Sequence, residues 1–292
     1  APVSRILLEE RTASGVVLAS GEQVAARREV ILCAGAIGSP QLLQVSGIGP
    51  GRLLQSLQIP VICANDNVGA NLQDHLTATY TFRARESTLN SVLRPLAGQV
   101  RAALQYALTR RGPLALSVNQ CGGFLRSSPE LKRPDQQLYF NPISYRMAQG
   151  SKRTRLALDP FDGFIICAQP TRPTSRGRID ITSADASVAP RIQPNSLSTD
   201  EDRRAVVAGG RLCQKIMGSR SMRNVGETSL EPCLESLDDD ALLADFRDRA
   251  STVYHPVSTC MMGENPDTAV IDSRLSVHGV DSLLVVDASD VH

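Results

Sequence analysis

The stretch Val30-Ile31-Leu32-Cys33-Ala34-Gly35-Ala36-Ile37-Gly38-Ser39-Pro40-Gln41-Leu42-Leu43-Gln44-Val45-Ser46-Gly47 reads as one strand, one turn and one helix. Its first four residues form a short continuous apolar run, which suits a strand of a parallel sheet covered on both faces. The helix after it is punctuated at both ends: Ser39 can cap the first free amides, Pro40 fits the first helical position, and Gly47 suits a left-handed end. Between strand and helix, Ala34-Gly35-Ala36 carries almost no side chain, so a ligand can approach the main chain closely there. The pattern predicts an α/β fold with a turn at which a ligand could come close to the main chain.

Upstream, residues 3–8 and Val16-Val17-Leu18 flank a stretch suited to a turn and read as two paired strands. Downstream come a second short helix over 52–58, an extended Ile59-Pro60-Val61-Ile62, and the polar loop Gly69-Ala70-Asn71-Leu72-Gln73-Asp74-His75, where a domain change is expected. From there to about residue 262 the pattern mixes strands, such as 138–141 and 163–167, with helices over 97–109, 201–217 and 239–250, as in an α+β domain. Then Ser282-Leu283-Leu284-Val285-Val286-Asp287-Ala288-Ser289 returns to a buried strand that ends in an acidic and small residues, and it is placed back in the first sheet. The expected division is 1–75 and 265–292 in one domain, 76–264 in the other.

The chain's 292 residues, 42% of them hydrophobic, suffice for two cores and exclude a disordered or fibrous protein. A formal charge of +1 from 31 basic and 30 acidic residues gives no field for nucleic acid, so the expected partner is a small molecule. Seven cysteines stand singly, with no Cys-x-x-Cys pair and no nearby histidine pair, so no metal site is expected and the thiols read as buried in a reducing compartment. No apolar run spans a bilayer and no secretory leader is legible, which points to the cytoplasm. The start at Ala1-Pro2-Val3, without Met and directly before a strand-like run, reads as a truncated N-terminus.

Several segments in order resemble the glucose-methanol-choline (GMC) oxidoreductase family. They are Gly35-Ala36-Ile37-Gly38-Ser39-Pro40-Gln41-Leu42-Leu43 with Ser46-Gly47-Ile48-Gly49-Pro50; Val68-Gly69-Ala70-Asn71-Leu72-Gln73-Asp74-His75; His255-Pro256-Val257-Ser258-Thr259-Cys260-Met261-Met262-Gly263; and Val277-His278-Gly279-Val280 with Val285-Val286-Asp287-Ala288-Ser289. The stretch between residues 76 and 253 carries the resemblance only loosely. The motifs are closer to bacterial choline and aliphatic-alcohol dehydrogenases than to fungal sugar oxidases. The resemblance implies part of a Rossmann-like FAD-binding domain with an α+β substrate domain built on an antiparallel sheet. It implies FAD as cofactor, an alcohol as substrate, and oxygen or a quinone as electron acceptor; a quinone would allow association with the periphery of the inner membrane, and a homo-oligomer is left open.

The same resemblance makes His255 the active-site base, puts the main chain at Val3 against the adenine, the Ala34-Gly35-Ala36 turn near the adenosine end, and Asp287-Ala288 beside the pyrophosphate or flavin. Oxidising an alcohol removes a hydroxyl proton and a hydride from one carbon, and a histidine titrating near neutrality suits the first task. Its competing reading is a core histidine bonded to a carbonyl, as that of Asp287 is a helix cap or turn carboxylate. His75 reads as a loop-structuring residue, His278 as a turn residue, Cys260 as a small buried hydrophobe, and the basic run 172–178 as a solvated turn.

Two features depart from the family pattern. No Gly-x-Gly-x-x-Gly pyrophosphate turn is present, and the sequence stops at His292, before the family's second active-site His or Asn. His292 is read as a chain-end residue without a role. Two rival readings follow: a lyase of the hydroxynitrile lyase type on the same fold, or an inactive piece that needs its N-terminal part to hold FAD. Substrate choice is expected from residues of the middle domain around Ser117-Val118-Asn119-Gln120 and Phe140-Asn141.

Overall fold

The structure is a computed structural model describing residues 1–117, 119–148, 155–230 and 232–291. Among them are two compact units: residues 1–74, 173–198 and those from 254 onward form the first, and 75–172 with 199–253 the second.

In the first unit, strands Val3–Glu9, Thr12–Leu18 and Gln23–Ala25 form an antiparallel sheet. Strand Val30–Leu32 pairs in parallel with Leu283–Val285, Ile31 standing opposite Leu284, so the two ends of the chain share one sheet as expected. A core of Ile6, Leu32, Leu43, Ile48, Val68, Cys260, Ile271, Leu283 and Val285 lies beneath them.

The helix after the small-residue turn spans Gly35–Val45 and starts ahead of the expected cap, with Ser39 and Pro40 inside it. Two features account for the early start. Gly35 takes φ 79°, which lets the chain turn directly out of the strand. The carboxylate of Asp287, 252 residues away, then accepts the Gly35 N–H at 2.9 Å and does the work of a local cap. Pro40 lacks the N–H that would bond Ala36 four residues back. The Ala36 carbonyl instead accepts the hydroxyl of Thr259 at 2.6 Å. At the far end Gly47 takes φ 87°, the left-handed stop read from the sequence.

The segments 173–198 and 254–264, expected in the middle domain, belong to the first unit. Strands Arg178–Asp180 and Arg191–Gln193 form a hairpin whose Ile179 N–H donates to the Gly69 carbonyl at 2.7 Å. Gln44, fully buried in the helix, donates to the carbonyls of Val68 (3.1 Å) and Ile179 (2.9 Å) and accepts the Ile181 N–H at 2.9 Å. Each bond satisfies buried main chain, so the hairpin is tied to the first unit despite its place in the sequence.

The second unit is a sheet of six strands in which Gly226–Ser229, Leu76–Ala84, Gly163–Pro170, Gln136–Asn141 and Cys121–Leu125 pair antiparallel in that order, with Ser251–Thr252 also on Leu76–Ala84. Alternation puts Tyr80, Phe82, Leu138, Phe164, Ile166 and Ala168 on one face, packed against Cys213, Met217 and Leu242 of helices Asp200–Met217 and Asp239–Arg249. The rings of Phe82 and Phe164 stack at 5.3 Å. Among the described residues no helix is long and apolar enough to cross a membrane.

Candidate active site

The segment after Tyr254 has neither helix nor strand, and hydrogen bonds from several directions fix it. The Gly69 N–H donates to the Thr259 carbonyl at 2.8 Å, the Ser258 N–H to the Ala288 carbonyl at 3.3 Å and the Cys260 N–H to the Ser289 carbonyl at 2.8 Å. Thr259 also holds Ala36. The structure thus brings together the His255 segment, the small-residue turn and the Asp287-Ala288 segment, which the sequence scatters over the whole chain. His255 itself is exposed at the edge of this unit. Tyr254 (φ 62°) and Ser258 (φ 75°) bracket it in the left-handed region, a conformation costing about 1–3 kcal/mol for each residue that lacks glycine's freedom.

Asp287 is half-buried and saturated with donors. One carboxylate oxygen accepts the Gly35 N–H and the Ser39 hydroxyl (2.6 Å), the other the Ser289 N–H (2.8 Å). Burial alone would raise its pKa, but the hydrogen bonds from Ser289, Ser39 and Gly35 hold the carboxyl below its ordinary range. The neighbouring Asp290 is pushed up, by burial and by the charge of Asp287. Asp287 is therefore the remote cap of a helix, and it fixes the main chain of the small-residue turn. Its charge is welcome at a helix N-terminus and unfavourable beside phosphate, so hydroxyl-bearing parts of a dinucleotide suit its surroundings better than the pyrophosphate.

The turn is open enough for such a ligand. Ala34 and Ala288 are exposed, and no atom lies within 4 Å of where a Cβ on Gly35 would stand. Ala36, by contrast, is buried and contributes through its carbonyl. Val3 stands apart from this group. It pairs with Leu18, and its strand is tied to the far end of the helix through the Ile6 N–H and the Ser46 hydroxyl at 2.9 Å.

Other histidines and the thiol have structural partners. In the second unit, Gln169 donates to His75 Nδ1 at 3.2 Å, and the other ring nitrogen lies 3.0 Å from the Thr171 carbonyl. His278 Nε2 lies 2.8 Å from the Gly263 carbonyl. Cys260 is fully buried, and burial pushes its thiol up to about 12, so it holds no thiolate. In the basic run, Arg176 donates to the carbonyls of Pro173 and Ser175, while Arg178 pairs with Asp180. Phe140 packs its ring against Phe164 at 5.3 Å and belongs to the core of its unit. Val118 and His292 lie outside the described residues.

Sequence reasoning missed Thr259 as a part of this hydrogen-bonded group, and took Ser39 for a cap. The signal for Thr259 was present in Pro40, whose missing N–H requires a donor from elsewhere for the Ala36 carbonyl.

A parallel strand pair, a turn of small residues and a helix entered at that turn define the class: an α/β fold, in which ligands lie at the carboxyl ends of such strands. The GMC oxidoreductase family model matches residues 1–77 with its N-terminal part and 173–291 with its C-terminal part. An alcohol dehydrogenase [acceptor] from Pseudomonas putida is 36% identical, over 99% of this chain and 52% of its own length. An oxygen-dependent choline dehydrogenase from Pectobacterium carotovorum is also 36% identical, over 98% of this chain and 50% of its own. The solved structure of formate oxidase from Aspergillus oryzae superposes with a TM-score of 0.87 at 28% identity, over 99% of this chain and 55% of that one. The chain belongs to the GMC oxidoreductase family, whose members are FAD flavoproteins. It spans about half the length of the curated relatives it matches.

Proposed function

We propose that the protein carrying this chain oxidises an alcohol to an aldehyde, with His255 as the base and FAD as the hydride acceptor. The observation that carries this reading is the convergence of the His255 segment, the Ala34–Ala36 turn and Asp287-Ala288 in one hydrogen-bonded unit. The names of the alcohol dehydrogenase and choline dehydrogenase relatives support a CH–OH substrate.

Ala34, Gly35 and Ala36 would offer FAD an unobstructed main chain, Asp287 would hold that main chain in shape, Ala288 would border the same surface, and the main chain at Val3 would meet the adenine. Bound there, FAD supplies the acceptor for the two electrons that leave the alcohol carbon as hydride. The imidazole of His255 takes the hydroxyl proton, so that the C–O bond of the alcohol becomes the C=O of the aldehyde as the C–H bond breaks. Mixing the flavin-loaded full-length protein anaerobically with choline and a series of primary alcohols tests this. We expect the oxidised flavin band to bleach, and to bleach about 100-fold or more slowly in His255→Ala. A flavin that stays oxidised with every alcohol, beside lyase activity on a cyanohydrin, would overturn the reading. Oxygen uptake during turnover then separates an oxidase from an enzyme that uses a quinone.

A further inference from the structure

We infer that Gln73 and Asp74 are positioning residues for His255, a role that rests on the reading of His255 as the base. Nothing in the secondary structure fixes this histidine, because residues 253–256 lie in neither helix nor strand. From Ser258 onward the main chain is held by Ala288, Ser289 and Gly69. For His255 and Val257 the loop 71–74 supplies bonds, while the Val253 N–H ahead of them donates to the His75 carbonyl at 3.2 Å. The carboxylate of Asp74 accepts the His255 N–H at 3.0 Å, a charge-assisted bond to the main chain of the residue whose ring must be aimed. Gln73 and Val257 exchange both main-chain bonds, the Gln73 N–H donating at 3.2 Å and the Val257 N–H at 2.9 Å. The side-chain amide of Gln73 also donates to the hydroxyl of the fully buried Ser258 at 2.8 Å.

These bonds fall on His255, Val257 and Ser258, in a stretch that the left-handed Tyr254 and Ser258 bracket, and the loop that supplies them carries its own left-handed residue, Asn71 (φ 61°). Such conformations persist only where the surroundings over-determine them. Without the loop's bonds, residues 255–257 would lose the ties that hold them between Val253, whose N–H donates to the His75 carbonyl, and Ser258, and the main chain at His255 could relax towards ordinary backbone and carry the ring away. Displacements of about 1 Å at a reacting group can cost on the order of 100-fold in rate.

The test compares Asp74→Ala, Asp74→Asn and Gln73→Ala in the full-length flavin-loaded protein. Asn keeps an acceptor oxygen at nearly the same place, and so serves as the conservative variant that retains the fold. Amide hydrogen exchange is read on the peptide covering 253–262. In Asp74→Ala and Gln73→Ala we expect exchange there to be faster by about 10-fold or more, with the rest of the first unit unchanged and Asp74→Asn near the wild type. The rate of flavin reduction at saturating alcohol should fall about 10- to 100-fold in Asp74→Ala while the concentration giving half-maximal rate moves less than about twofold, and Asp74→Asn should recover most of it. Unchanged exchange, or faster exchange with an unchanged reduction rate, overturns the proposal. A wild-type flavin that no alcohol reduces sinks the oxidation reading instead; the exchange comparison needs no alcohol and still decides whether the loop holds His255.

Discussion

Asp287 joins the turn at Gly35 to the strand that precedes it by accepting from Gly35, Ser39 and Ser289. In Asp287→Asn the amide nitrogen cannot accept, so one donor loses its partner and the helix loses a favourable charge at its start. A loss of about 1–3 kcal/mol is expected, read as a lower denaturant midpoint. The folded carboxyl titrates below its ordinary value. Its contribution is therefore complete above the unfolded value near ~3.9 and disappears as the pH falls through the lower folded one. Acid unfolding of Asp287→Asn should accordingly show a shallower loss of stability below about pH 4 than the wild type, and identical slopes would refute the assignment. Thr259→Val is nearly isosteric and strands the Ala36 carbonyl that Pro40 has already left unpaired, so it should also cost about 1–3 kcal/mol. Thermal unfolding at neutral pH measures it. His255 and Asp287 were legible as motif residues, whereas their partners were not. The bonds from Gly35 to Asp287 and from Thr259 to Ala36 cross 252 and 223 positions, and nothing local in the sequence announces a bond of that reach.

Elements were read more surely than their ends. The strand at 3–8, the helix after the turn and the helices expected over 201–217 and 239–250 form where the pattern placed them; of the stretch 282–289 only Leu283–Val285 is strand, and helix Leu96–Thr109 forms although Ala102 is its one buried residue. The start of helix Gly35–Val45 was misjudged because Ser39-Pro40 imitates a cap followed by a first helical residue, while a carboxylate from another strand supplies the cap. A second element shows packing overriding propensity. Helix Asp200–Met217 contains Gly209 and Gly210, each of which would ordinarily weaken it by about 1 kcal/mol relative to Ala. A Cβ on Gly209 would stand 2.8 Å from the Oε1 of Gln136, a fully buried residue whose amide donates to Ala205 at 2.9 Å. A Cβ on Gly210 would stand 2.8 Å from a methyl of Leu242. Gly209 thus sets how closely the helix lies on the sheet, and Gly210 how closely it lies on helix Asp239–Arg249. Gly209→Ala is expected to lower the melting temperature despite its better helix propensity, overpacking costing about 1–3 kcal/mol against a gain of about 1. A rise in melting temperature would show that Gln136 yields freely.

At the scale of the whole molecule, order along the chain and membership of a unit part company. The first unit takes residues from the beginning, middle and end of the sequence. Its hairpin at 178–193 gave no sign of this, since its ties run through main-chain groups of Gly69 and Leu72 and the side chain of Gln44. A buried glutamine between Leu43 and Val45 was the available clue, a polar side chain on an apolar face requiring polar partners. The same interleaving makes cofactor binding a property of the unit and not of one segment. A ligand at the turn touches main chain that Asp287 and Thr259 hold from the chain's other end. FAD that binds the folded state alone should therefore stabilise the first unit as a whole, by about 2.7 kcal/mol at a hundredfold excess over its dissociation constant. Thermal unfolding with increasing FAD, combined with hydrogen exchange, should show a rising transition and slower exchange at 30–45 and 284–290 while strand Gly163–Pro170 of the second unit is unaffected. A transition that FAD leaves unmoved would mean that the turn and Asp287 do not by themselves hold the cofactor. Protection confined to residues 30–45 would mean that the bonds to Asp287 and Thr259 do not couple the segments.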